Sequence, residues 1–562
     1  MKSVADCIAE IDEWMLALGA AFIGRRTERV VAEQAAAWAI KSKGRTLVLA
    51  IDTDFPFSRP RVAIEGYDRG QPEPHVESGG LLCLSNIEIP SDPLLSVKSA
   101  LGQASQLLTE NAEGLHDDDF VDDFTLYWNN LAADPRRVVH VLPSDLGTGF
   151  CSYVHERGAH YCFSTKDKLQ AWWKNLDGNA AVGVRQGAIF RINPLPAPSH
   201  FPSSGKNLWQ LISDRCDDGD VVLNGVLKQM PKSVLILLAG VTPSGRSHVV
   251  AVELVRTSEK KWALQKKLRA EQRAMDGIPS EALCSLYELT PCQTIRMDAA
   301  ESRLPDPVSQ FKGKKVAIVG CGALGSGVAR LLGQSGIGNF TFVDHETLAW
   351  ENIRRHELGA SFQGMSKVEA LAHKMKRDLP MIDRIATFAT KIGNLLRENP
   401  QSLADCDLIV CCTGSTSTDR FLEGHVRESG VETPIVFGWL EAHATAAHAF
   451  LNWGEGPSLV DGLDAHGNFL LLASDGGKPP PPECGAITSP FGAVELANGQ
   501  ALVSRLCIDI LRGNLKKSVW RTWLGDDAVL SAAEAQWTEA WIARNGQPSP
   551  YGQTTECDWA FP

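Results

Sequence analysis

Three short segments of this 562-residue chain carry residue types that can do chemistry. The first is Gly320-Cys321-Gly322-Ala323-Leu324-Gly325, where glycines end an apolar run and open a helical pattern. This spacing lets the backbone approach a phosphate closely, while the helix N-terminus faces it with unpaired N–H groups. The other two segments centre on Cys484 and, far upstream, on Cys83. A thiolate near an activated acyl group can take that group as a thioester, so the three segments together indicate an acyl relay.

The residues after the glycine turn distinguish between nucleotide ligands. Asp344 closes the next strand pattern and is placed to accept hydrogen bonds from ribose hydroxyls. An NAD-dependent oxidoreductase would show the same turn and acid, and at this point it stays an alternative. Asn352, Arg355 and Lys367 then supply an amide and two cations, which a triphosphate needs for neutralisation and a nicotinamide does not. This order favours ATP.

The same order resembles the ThiF/MoeB and ubiquitin-activating enzyme family, whose motif is Gly-x-Gly-x-x-Gly, Asp, Asn-x-x-Arg-Gln, Lys. His356 occupies the position of the Gln. The resemblance implies that Asp344 holds the ribose of ATP. It further implies the residues that hold the phosphates, which are the glycines Gly320, Gly322 and Gly325 with Asn352, Arg355 and Lys367.

A magnesium ligand is less clearly marked in this sequence. The family usually carries an Asp directly after the next strand, where this chain has Gly414, and the nearest acid is Asp419. Asp419 is therefore the candidate Mg²⁺ ligand. Two alternatives stay open: Thr413 and Ser415 act through water, or Asp419 caps the helical pattern over 416–422.

Cys484 is the candidate activating thiol. It follows a run of four prolines and precedes the helical pattern over 491–511, which is where the activating-enzyme family carries its catalytic cysteine. Other thiols fall in turn, strand or helix patterns and are interpreted as small buried hydrophobes, namely Cys321, Cys411, Cys412 and Cys507. Cys557, near the end of the chain, is a weaker rival because terminal tails are often loose.

Residues 40–135 resemble the core of a ubiquitin-conjugating enzyme. The family order of Tyr-Pro, Pro-x-Val, His-Pro-Asn, Gly-x-x-Cys-Leu and Trp-x-Pro is matched by Phe55-Pro56, Pro60-Arg61-Val62, Pro74-His75, Gly80–Leu84 and Ile89-Pro90. The resemblance implies that Cys83 is an acyl-accepting thiol, with a buried structural thiol as the alternative. His-Pro-Asn is replaced by His75-Val76-Glu77, so His75 either stabilises the tetrahedral intermediate or packs the loop.

The motifs divide the chain into three expected domains. Residues 1–137 form a ubiquitin-conjugating-like domain, with helical patterns over 4–22, 94–108 and 117–131 and strand patterns at 45–51 and 60–64. Residues 138–295 form an α+β linker domain of unclear type, with strand patterns at 188–192, 221–227, 233–238 and 248–255.

Residues 296–562 show strand, glycine turn, helix and strand in succession, which is a βαβ unit. Its strand patterns lie at 315–319, 339–343, 407–411 and 434–437, and a helical pattern covers 324–335. The expected fold class is α/β, with a Rossmann-like ThiF-type adenylation domain preceded by two α+β domains.

Composition excludes several partners. The net charge is −12 and no basic run is present, so we expect no nucleic-acid groove. The 14 cysteines include no Cys-x-x-Cys, which argues for reduced thiols and against a paired-cysteine zinc site. The first residues do not resemble a signal peptide and no apolar run reaches about 18 residues, so we expect no membrane association and a cytoplasmic protein.

Activating and conjugating segments in one chain resemble bacterial fusions found in anti-phage (CBASS) operons. The resemblance implies that ATP and Mg²⁺ adenylate a partner protein's C-terminal carboxylate, after which Cys484 and Cys83 carry the acyl group to a target lysine. The expected cargo is a cGAS-like nucleotidyltransferase or, alternatively, a bacterial ubiquitin-like protein. Activating domains of this family pair as homodimers, in which Arg296 or Arg303 could enter the neighbouring site. A sulfur-carrier adenylyltransferase and a non-catalytic nucleotide-binding scaffold remain further alternatives.

Overall fold

A computed structural model describes most of the chain. The described residues are 2–68, 71–77, 79–84, 92–116, 118–132, 134, 136–142, 147–256, 280–297, 311, 313–429, 433–453, 456–478 and 490–559. The chain divides into two compact units, one of Met1–Gln170 with Ala181–Arg296 and the other of Ala171–Ala180 with Met297–Pro562. None of the described helices has the length and apolar character that a membrane crossing requires. The three domain boundaries stay a prediction.

The first unit opens with helix α1 (Val4–Ala17). Ser3 and Asp6 form a capping box at its start, each side chain accepting from the other residue's backbone N–H. Cys7, Ile11 and Met15 recur at four-residue spacing and are fully buried, as an amphipathic helix requires. The predicted helix over 4–22 is wrong beyond Ala17, because a short 3₁₀ turn (Gly19–Ala21) leads into the first strand.

An antiparallel four-stranded sheet in the order β1-β2-β3-β4 follows, with helices α1 and α2 packed in its core. The elements are β1 (Phe22–Arg25), β2 (Gln34–Ser42), β3 (Arg45–Asp52), β4 (Arg61–Ile64), α2 (Pro93–Ala112), α3 (Asp119–Asp122) and α4 (Phe124–Leu131). The predicted single helix over 117–131 is two helices, because Asp123 leaves helical geometry at φ −106° and ψ 23°. Strand β2 was not predicted, since its alanine-rich start has weak strand propensity.

The rest of the first unit is built around a closed seven-stranded barrel, in the order β10-β11-β5-β7-β6-β8-β9. Its strands are β5 (Val138–Leu142), β6 (Gly149–Glu156), β7 (Ala159–Phe163), β8 (Arg185–Arg191), β9 (Ser233–Val241), β10 (Ser247–Arg256) and β11 (Tyr287–Arg296). The helices along this stretch of the chain are α5 (Lys166–Asp177), which the division into units splits after Gln170, α6 (Gly205–Arg215), α7 (Gly219–Leu227) and α8 (Ser280–Cys284).

One predicted strand of this region is wrong. Residues 221–227 belong to α7, which buries Val222, Leu223, Val226 and Leu227 on one helical face. A short apolar run cannot distinguish a strand from a buried helix by periodicity alone. The strand patterns at 188–192, 233–238 and 248–255 are confirmed by β8, β9 and β10, although β8 ends at Arg191.

The second unit contains an eight-stranded sheet in the order β14-β13-β12-β15-β16-β17-β18-β19. Its strands are β12 (Lys315–Val319), β13 (Asn339–Val343), β14 (Arg384–Phe388), β15 (Leu408–Cys411), β16 (Ile435–Leu440), β17 (Ala446–Asn452), β18 (Val519–Leu524) and β19 (Gln553–Cys557). The helices are α9 (Ala323–Gln334), α10 (Lys367–Asp378), α11 (Ile392–Glu398), α12 (Thr416–Glu428), α13 (Ala493–Leu511), α14 (Asp527–Ala533) and α15 (Glu539–Asn545).

The strand order of this sheet places the expected ligand site. Strands β14, β13, β12, β15 and β16 are parallel, and the remaining three pair antiparallel. The chain leaves β12 to form β13 on one side and returns to form β15 on the other side. Ligands of open α/β sheets bind beyond the carboxyl ends of strands at such a switch point. The predicted strands at 315–319 and 339–343 match β12 and β13 at both ends.

Candidate functional site

The turn after β12, Gly320 to Gly325, is shaped by close backbone packing. Gly320 has φ +86°, and a Cβ there would lie 2.7 Å from the Cys412 carbonyl oxygen. A Cβ on Gly325 would lie 1.9 Å from the Gly320 carbonyl oxygen. Gly322, by contrast, has no heavy atom within 4 Å of its Cβ position. Gly320 and Gly325 are therefore needed because a side chain would clash with the backbone. Gly322 instead leaves open space beside the backbone, which we call the open face.

That open face is the N-terminus of α9. Gly322 is the N-cap residue and supplies no side-chain cap. The first N–H groups of a helix have no partner within the helix, and together with the helix dipole they attract anions. The turn therefore has the geometry and the partial charge of a phosphate-binding site.

Asp344 ties the second strand to this turn. Its Oδ2 accepts from the Cys321 backbone N–H at 2.7 Å, and its Oδ1 accepts from the Glu346 N–H at 2.8 Å. Each carboxylate oxygen keeps further lone-pair capacity for ribose hydroxyls. The structure thus positions Asp344 beside the glycine turn, while its role in ribose binding stays a prediction.

His356, in the position of the family's Gln, supports the same turn. Its Nδ1 accepts from the Leu358 N–H at 3.1 Å, so the hydrogen lies on Nε2, which donates to the Cys321 carbonyl at 2.7 Å. Burial lowers the pKa of His356, which favours this neutral form. The neutral imidazole of His356 therefore joins the Cys321 carbonyl to the Leu358 N–H, and the amide of a Gln side chain could also donate and accept in this way.

The three predicted phosphate ligands differ in what they contact. Lys367 begins α10, is buried, and forms an ion pair with Glu346, which lowers the pKa of that carboxyl group. The Arg355 guanidinium carbon lies 4.8 Å from the centre of the Phe491 ring. The Asn352 Oδ1 accepts from the Ala349 N–H at 3.1 Å. Glu346 was missed in the sequence, where nothing marked it as the partner of a buried lysine.

Asp419 lies in the first turn of α12, beyond the carboxyl end of β15. It is buried, and its Oδ1 accepts from Thr413 Oγ1 at 2.9 Å and Cys411 Sγ at 3.1 Å. Burial raises its pKa to about 6. The helix cap is Ser415, whose side chain accepts from the Thr418 N–H, so the alternative that Asp419 caps this helix is wrong.

Cys484, the predicted activating thiol, lies outside the described residues. The described positions on either side of its segment, Lys478 and Pro490, are both held by His443. The His443 Nε2 lies 2.8 Å from the Lys478 carbonyl oxygen, and Nδ1 lies 3.1 Å from the Pro490 carbonyl oxygen. Phe491, stacked with Arg355, follows directly. The two ends of the segment are therefore anchored together, and one end contacts a predicted phosphate ligand.

The other thiols that the sequence analysis considered in the second unit behave as hydrophobes. Cys321, Cys411, Cys412 and Cys507 are buried, and burial raises the pKa of each thiol. Cys557 lies in β19, paired with β18, and its pKa is also raised by burial. The expectation that Cys557 lies in a loose tail is wrong, because the residue belongs to a paired strand. None of these five thiols is ready to act as a thiolate nucleophile.

Cys83 ends a tight loop that begins near His75. The Cys83 N–H donates to the His75 carbonyl at 2.8 Å, and Val76 pairs with Leu82 in an antiparallel bridge. Gly80 has φ +79°, and a Cβ there would lie 2.7 Å from the Ile64 carbonyl oxygen. The backbone of this loop therefore sets the position of Cys83 relative to β4.

A cleft of about 120 Å³ opens beside this thiol, and we call it the Cys83 cleft. It is lined by Arg59, Pro60, Arg61, Glu77, Leu82, Cys83 and Leu84. The thiol is half-buried, and whether it accepts an acyl group or is a buried structural thiol stays a prediction. Burial is the main reason that the pKa of Cys83 is raised; the Glu77 charge raises it further and the Arg61 charge opposes it.

His75 belongs to a network that reaches the helices after the loop. It has φ +57°, an uncommon value for a residue with a Cβ, and its backbone N–H donates to Tyr127 Oη at 2.7 Å. Its Nε2 lies 2.9 Å from Asp119 Oδ2. Burial raises the pKa of Tyr127 to about 12. Sequence reasoning missed Tyr127 and Asp119, because both lie more than forty residues beyond His75.

The barrel holds these helices in place. The Trp128 indole N–H donates to the Ala251 carbonyl at 3.1 Å, and the Asn129 side chain exchanges hydrogen bonds with the Thr294 backbone. Both contacts join α4 to barrel strands. Through Tyr127, the same helix fixes the loop that carries His75 and leads to Cys83.

Two protein families match separate parts of the chain. Residues 303–451 match the ThiF family, and residues 12–136 match Prokaryotic E2 family B. The first match contains the glycine turn, and the second contains Cys83. The expected α/β fold class, with a ThiF-type domain preceded by a conjugating-like domain, is confirmed.

Two relatives match along most of the chain. The ATP-dependent ubiquitin transferase-like protein Cap2 of Pseudomonas aeruginosa is 24% identical over 564 residues, which cover 91% of this chain and 93% of that protein. The Vibrio cholerae Cap2 is 24% identical over 84% of this chain and 87% of its own length. Molybdopterin-synthase adenylyltransferase of Escherichia coli is 30% identical over 24% of this chain and 52% of that protein.

These similarities confirm the predicted resemblance to anti-phage activating and conjugating fusions. They confirm the expected enzyme class, an ATP-using adenylyltransferase joined to an acyl transferase, and so favour ATP over a nicotinamide. Magnesium, the cargo and the individual site residues stay predictions.

Proposed function

We propose that this chain adenylates the C-terminal carboxylate of a partner protein and passes the acyl group over two of its own thiols to a target amine. The single observation that carries this proposal is the coexistence of a phosphate-ready glycine turn and the half-buried Cys83 in one chain. A carrier adenylyltransferase needs only the first feature. The second has a use only if the activated acyl group moves on.

In the first step the partner's carboxylate oxygen attacks the α-phosphorus of ATP, forming the acyl adenylate and releasing pyrophosphate. The α9 N-terminus and the open face at Gly322 hold the phosphates, and Asp344 holds the ribose. Lys367, a buried cation paired with Glu346, would add its charge, and Arg355 and Asn352 would complete the phosphate site. Charge neutralisation by these groups favours departure of pyrophosphate.

Magnesium enters this step as part of the ATP substrate complex. Mg²⁺ is typically held by one or two carboxylates together with substrate phosphates. Asp419 fits as one such carboxylate, since Oδ1 is committed to Thr413 and Cys411 and no described residue bonds to Oδ2. A nearby cation would also favour its ionised form, against the effect of burial. We expect Asp419→Asn to slow pyrophosphate exchange and to raise the magnesium concentration required.

The acyl group then moves by two thiol steps and one amine step. The Cys484 thiolate attacks the acyl carbon and AMP leaves; the Cys83 thiolate next attacks the thioester and the Cys484 thiolate leaves. A lysine amine of the target finally attacks the Cys83 thioester and loses a proton, and the amide forms as the Cys83 thiolate leaves. Because the pKa of Cys83 is raised, its proton must be removed during the second step.

The cargo and assembly are proposed on the resemblance. The cargo would be a cGAS-like nucleotidyltransferase, with a ubiquitin-like protein as the alternative, and two copies of the chain would pair through the adenylation domain. Arg296 and Arg303 stay candidates for an arginine that enters the neighbouring site. Arg296 ends β11 and donates to the Ser247 carbonyl at 2.6 Å, whereas Arg303 lies outside the described residues.

The experiment compares full-length variants in which one cysteine is replaced. Each variant is incubated with ATP and each candidate cargo from the same operon. We expect Cys83→Ala to keep pyrophosphate exchange and a thioester on Cys484 while losing conjugates. Cys484→Ala should keep pyrophosphate exchange and lose both covalent species. Cys216→Ala, which removes another partly exposed thiol of the first unit, is the matched control and should behave as wild type.

Two outcomes contradict the proposal. Normal conjugate yield from Cys83→Ala would remove the relay through that thiol. Absence of pyrophosphate exchange in the wild type with every cargo would leave a nucleotide-binding scaffold as the function.

A further inference from the structure

Three metal-ligating side chains converge next to the Cys83 loop. His75 Nε2 and His116 Nδ1 lie 2.9 and 2.8 Å from Asp119 Oδ2, and the three ligand atoms all lie within 4.8 Å of one another. The two imidazole rings stand edge to face, with centroids 5.1 Å apart. All three side chains are partly exposed, at 27%, 25% and 39%, so a solvated ion has access to them.

The second ring nitrogen of His116 has the partner that metal sites usually show. His116 Nε2 lies 3.0 Å from Glu110 Oε2, at the end of α2. Metal-binding histidines typically donate their other N–H to a carboxylate, which fixes the ring orientation and leaves the first nitrogen free to ligate. In His116 this arrangement directs Nδ1 towards Asp119 and His75.

We infer that His75, His116 and Asp119 form a binding site for a divalent transition-metal ion of the zinc type. Two imidazoles and one carboxylate form a donor set that such ions prefer, and water would complete a tetrahedral shell. Ligand atoms of such a shell are about 3.3 Å apart for bonds of about 2.0 to 2.1 Å. The two nitrogen-to-oxygen distances would lengthen by about half an ångström, and the two nitrogens, which now lie within 4.8 Å of each other, would have to reach the same spacing.

The site would join two parts of the chain that are far apart in sequence. The His75 carbonyl accepts from the Cys83 N–H, so His75 belongs to the Cys83 loop. His116 and Asp119 lie where α2 connects to α3. A bound ion would therefore hold the Cys83 loop against these helices. The metal acts on position and stability, so the inference does not depend on the acyl relay.

Binding would rearrange hydrogens in a defined way. The N–H groups that now face Asp119 Oδ2 must give way to lone pairs on His75 Nε2 and His116 Nδ1. Any hydrogen that either ring carries on its ligating nitrogen must move to the other ring nitrogen or to solvent. Metal affinity should therefore fall as the pH is lowered, as it does for imidazole sites in general.

The test uses the full-length metal-free protein with Zn²⁺ and Co²⁺ as probes. Zinc affinity is measured by competition with a chromophoric chelator, and stability by thermal unfolding with and without zinc. The variants are His116→Ala, Asp119→Asn and Glu110→Gln, with His200→Ala as control because that exposed histidine lies on a separate 3₁₀ turn.

We expect one tight zinc ion per wild-type chain and a cobalt spectrum typical of nitrogen and oxygen ligands. Glu110→Gln should weaken zinc binding about 10- to 100-fold, as loss of an outer-shell carboxylate does elsewhere. His116→Ala and Asp119→Asn should weaken it more, and should remove the zinc-dependent rise in melting temperature, while His200→Ala binds as wild type.

Three results would overturn the inference. One is a wild-type protein with no zinc uptake at micromolar concentration. The second is equal affinity in wild type and Asp119→Asn. The third is a sulfur-to-cobalt charge-transfer band at stoichiometric cobalt, which would mean that thiolates hold the ion. None of these results bears on pyrophosphate exchange, so a failed metal site and a failed relay are distinguishable.

Discussion

The nucleotide turn and the Cys83 cleft are built from different parts of the polypeptide. The nucleotide turn is shaped mainly by contacts of backbone atoms. Gly325 packs against the Gly320 carbonyl. The Cys321 N–H donates to Asp344, and the Cys321 carbonyl accepts from His356. At Cys83, burial raises the pKa of the thiol most, and the side-chain charges of Glu77 and Arg61 then act on it in opposite directions.

This difference predicts different responses to mutation. A backbone-built site has little tolerance, because an added Cβ must displace main-chain atoms that the sheet holds in place. A site tuned by partly exposed charges changes gradually, because water screens each contribution. Substitutions at the turn should therefore remove function, whereas charge substitutions at the cleft should shift a pH dependence.

The largest effect is expected from Gly325→Ala. Its Cβ would lie 1.9 Å from the Gly320 carbonyl oxygen, so we expect a loss of about 3 kcal/mol or more in the stability of the second unit and no ATP binding. Gly322→Ala is the matched control, because its Cβ meets no heavy atom within 4 Å. It should keep the melting temperature of the nucleotide-free protein and weaken ATP binding, measured by calorimetry. Equal melting temperatures for both variants would contradict a backbone-built turn.

An intermediate effect is expected from His356. Replacement by Ala leaves the buried Cys321 carbonyl and Leu358 N–H without this partner, at a cost of about 1 to 3 kcal/mol. Replacement by Gln, the residue of the related family, should restore part of this loss, since its amide can donate to the same carbonyl. The measurement is the free energy of unfolding of each variant, taken from the unfolding transition that ATP shifts.

The same residue predicts a pH dependence. Burial lowers the pKa of His356 in the folded protein, so below about pH 6.5 the unfolded chain binds a proton that the folded chain does not. The stability that His356 contributes is therefore complete above that pH and falls as the pH is lowered. We expect the stability difference between wild type and His356→Gln to shrink on going from pH 7.5 to pH 5.5. A constant difference would contradict the neutral, buried imidazole.

The smallest effect is expected at the cleft. Glu77→Gln removes a charge that raises the pKa of Cys83, so more thiolate is present near neutral pH and transfer to Cys83 should accelerate. The increase should be on the order of a few-fold, because the groups are partly exposed to water. Glu73→Gln, in the same loop but paired with Arg45, should leave the rate unchanged. A slower transfer in Glu77→Gln would show that the carboxylate accepts the proton from the thiol.

Much of the second unit was predictable because its parallel strands are buried on both faces. Strands β12 and β13 are short apolar runs bounded by polar residues and glycine, which is a strong local signal. The barrel was not predictable in this way. Its closure depends on pairing between β9 and β10 and between β11 and β5, contacts that no local pattern encodes, and α7 has an apolar run that is also compatible with a strand.

The site residues divide along the same line. The three glycines, Asp344 and Cys83 are marked by spacing, because local turns need them at fixed positions. Glu346, Tyr127 and Asp119 are ordinary residues in the sequence, and only folding brings them to a lysine or a histidine that the motifs had marked. Asp419 was found as the nearest acid, but its burial and its bonds to Cys411 and Thr413 were not.

The sequence alone determined the types of chemistry in this protein, because glycine spacing and the flanks of a cysteine are local properties of the chain. Tertiary structure decided the direction in which the pKa of Cys83 is shifted and which nitrogen of His356 carries the hydrogen. It also decided that two histidines and an aspartate converge beside the Cys83 loop. Burial and charge proximity depend on segments distant in sequence, and only the packed fold brings those segments together.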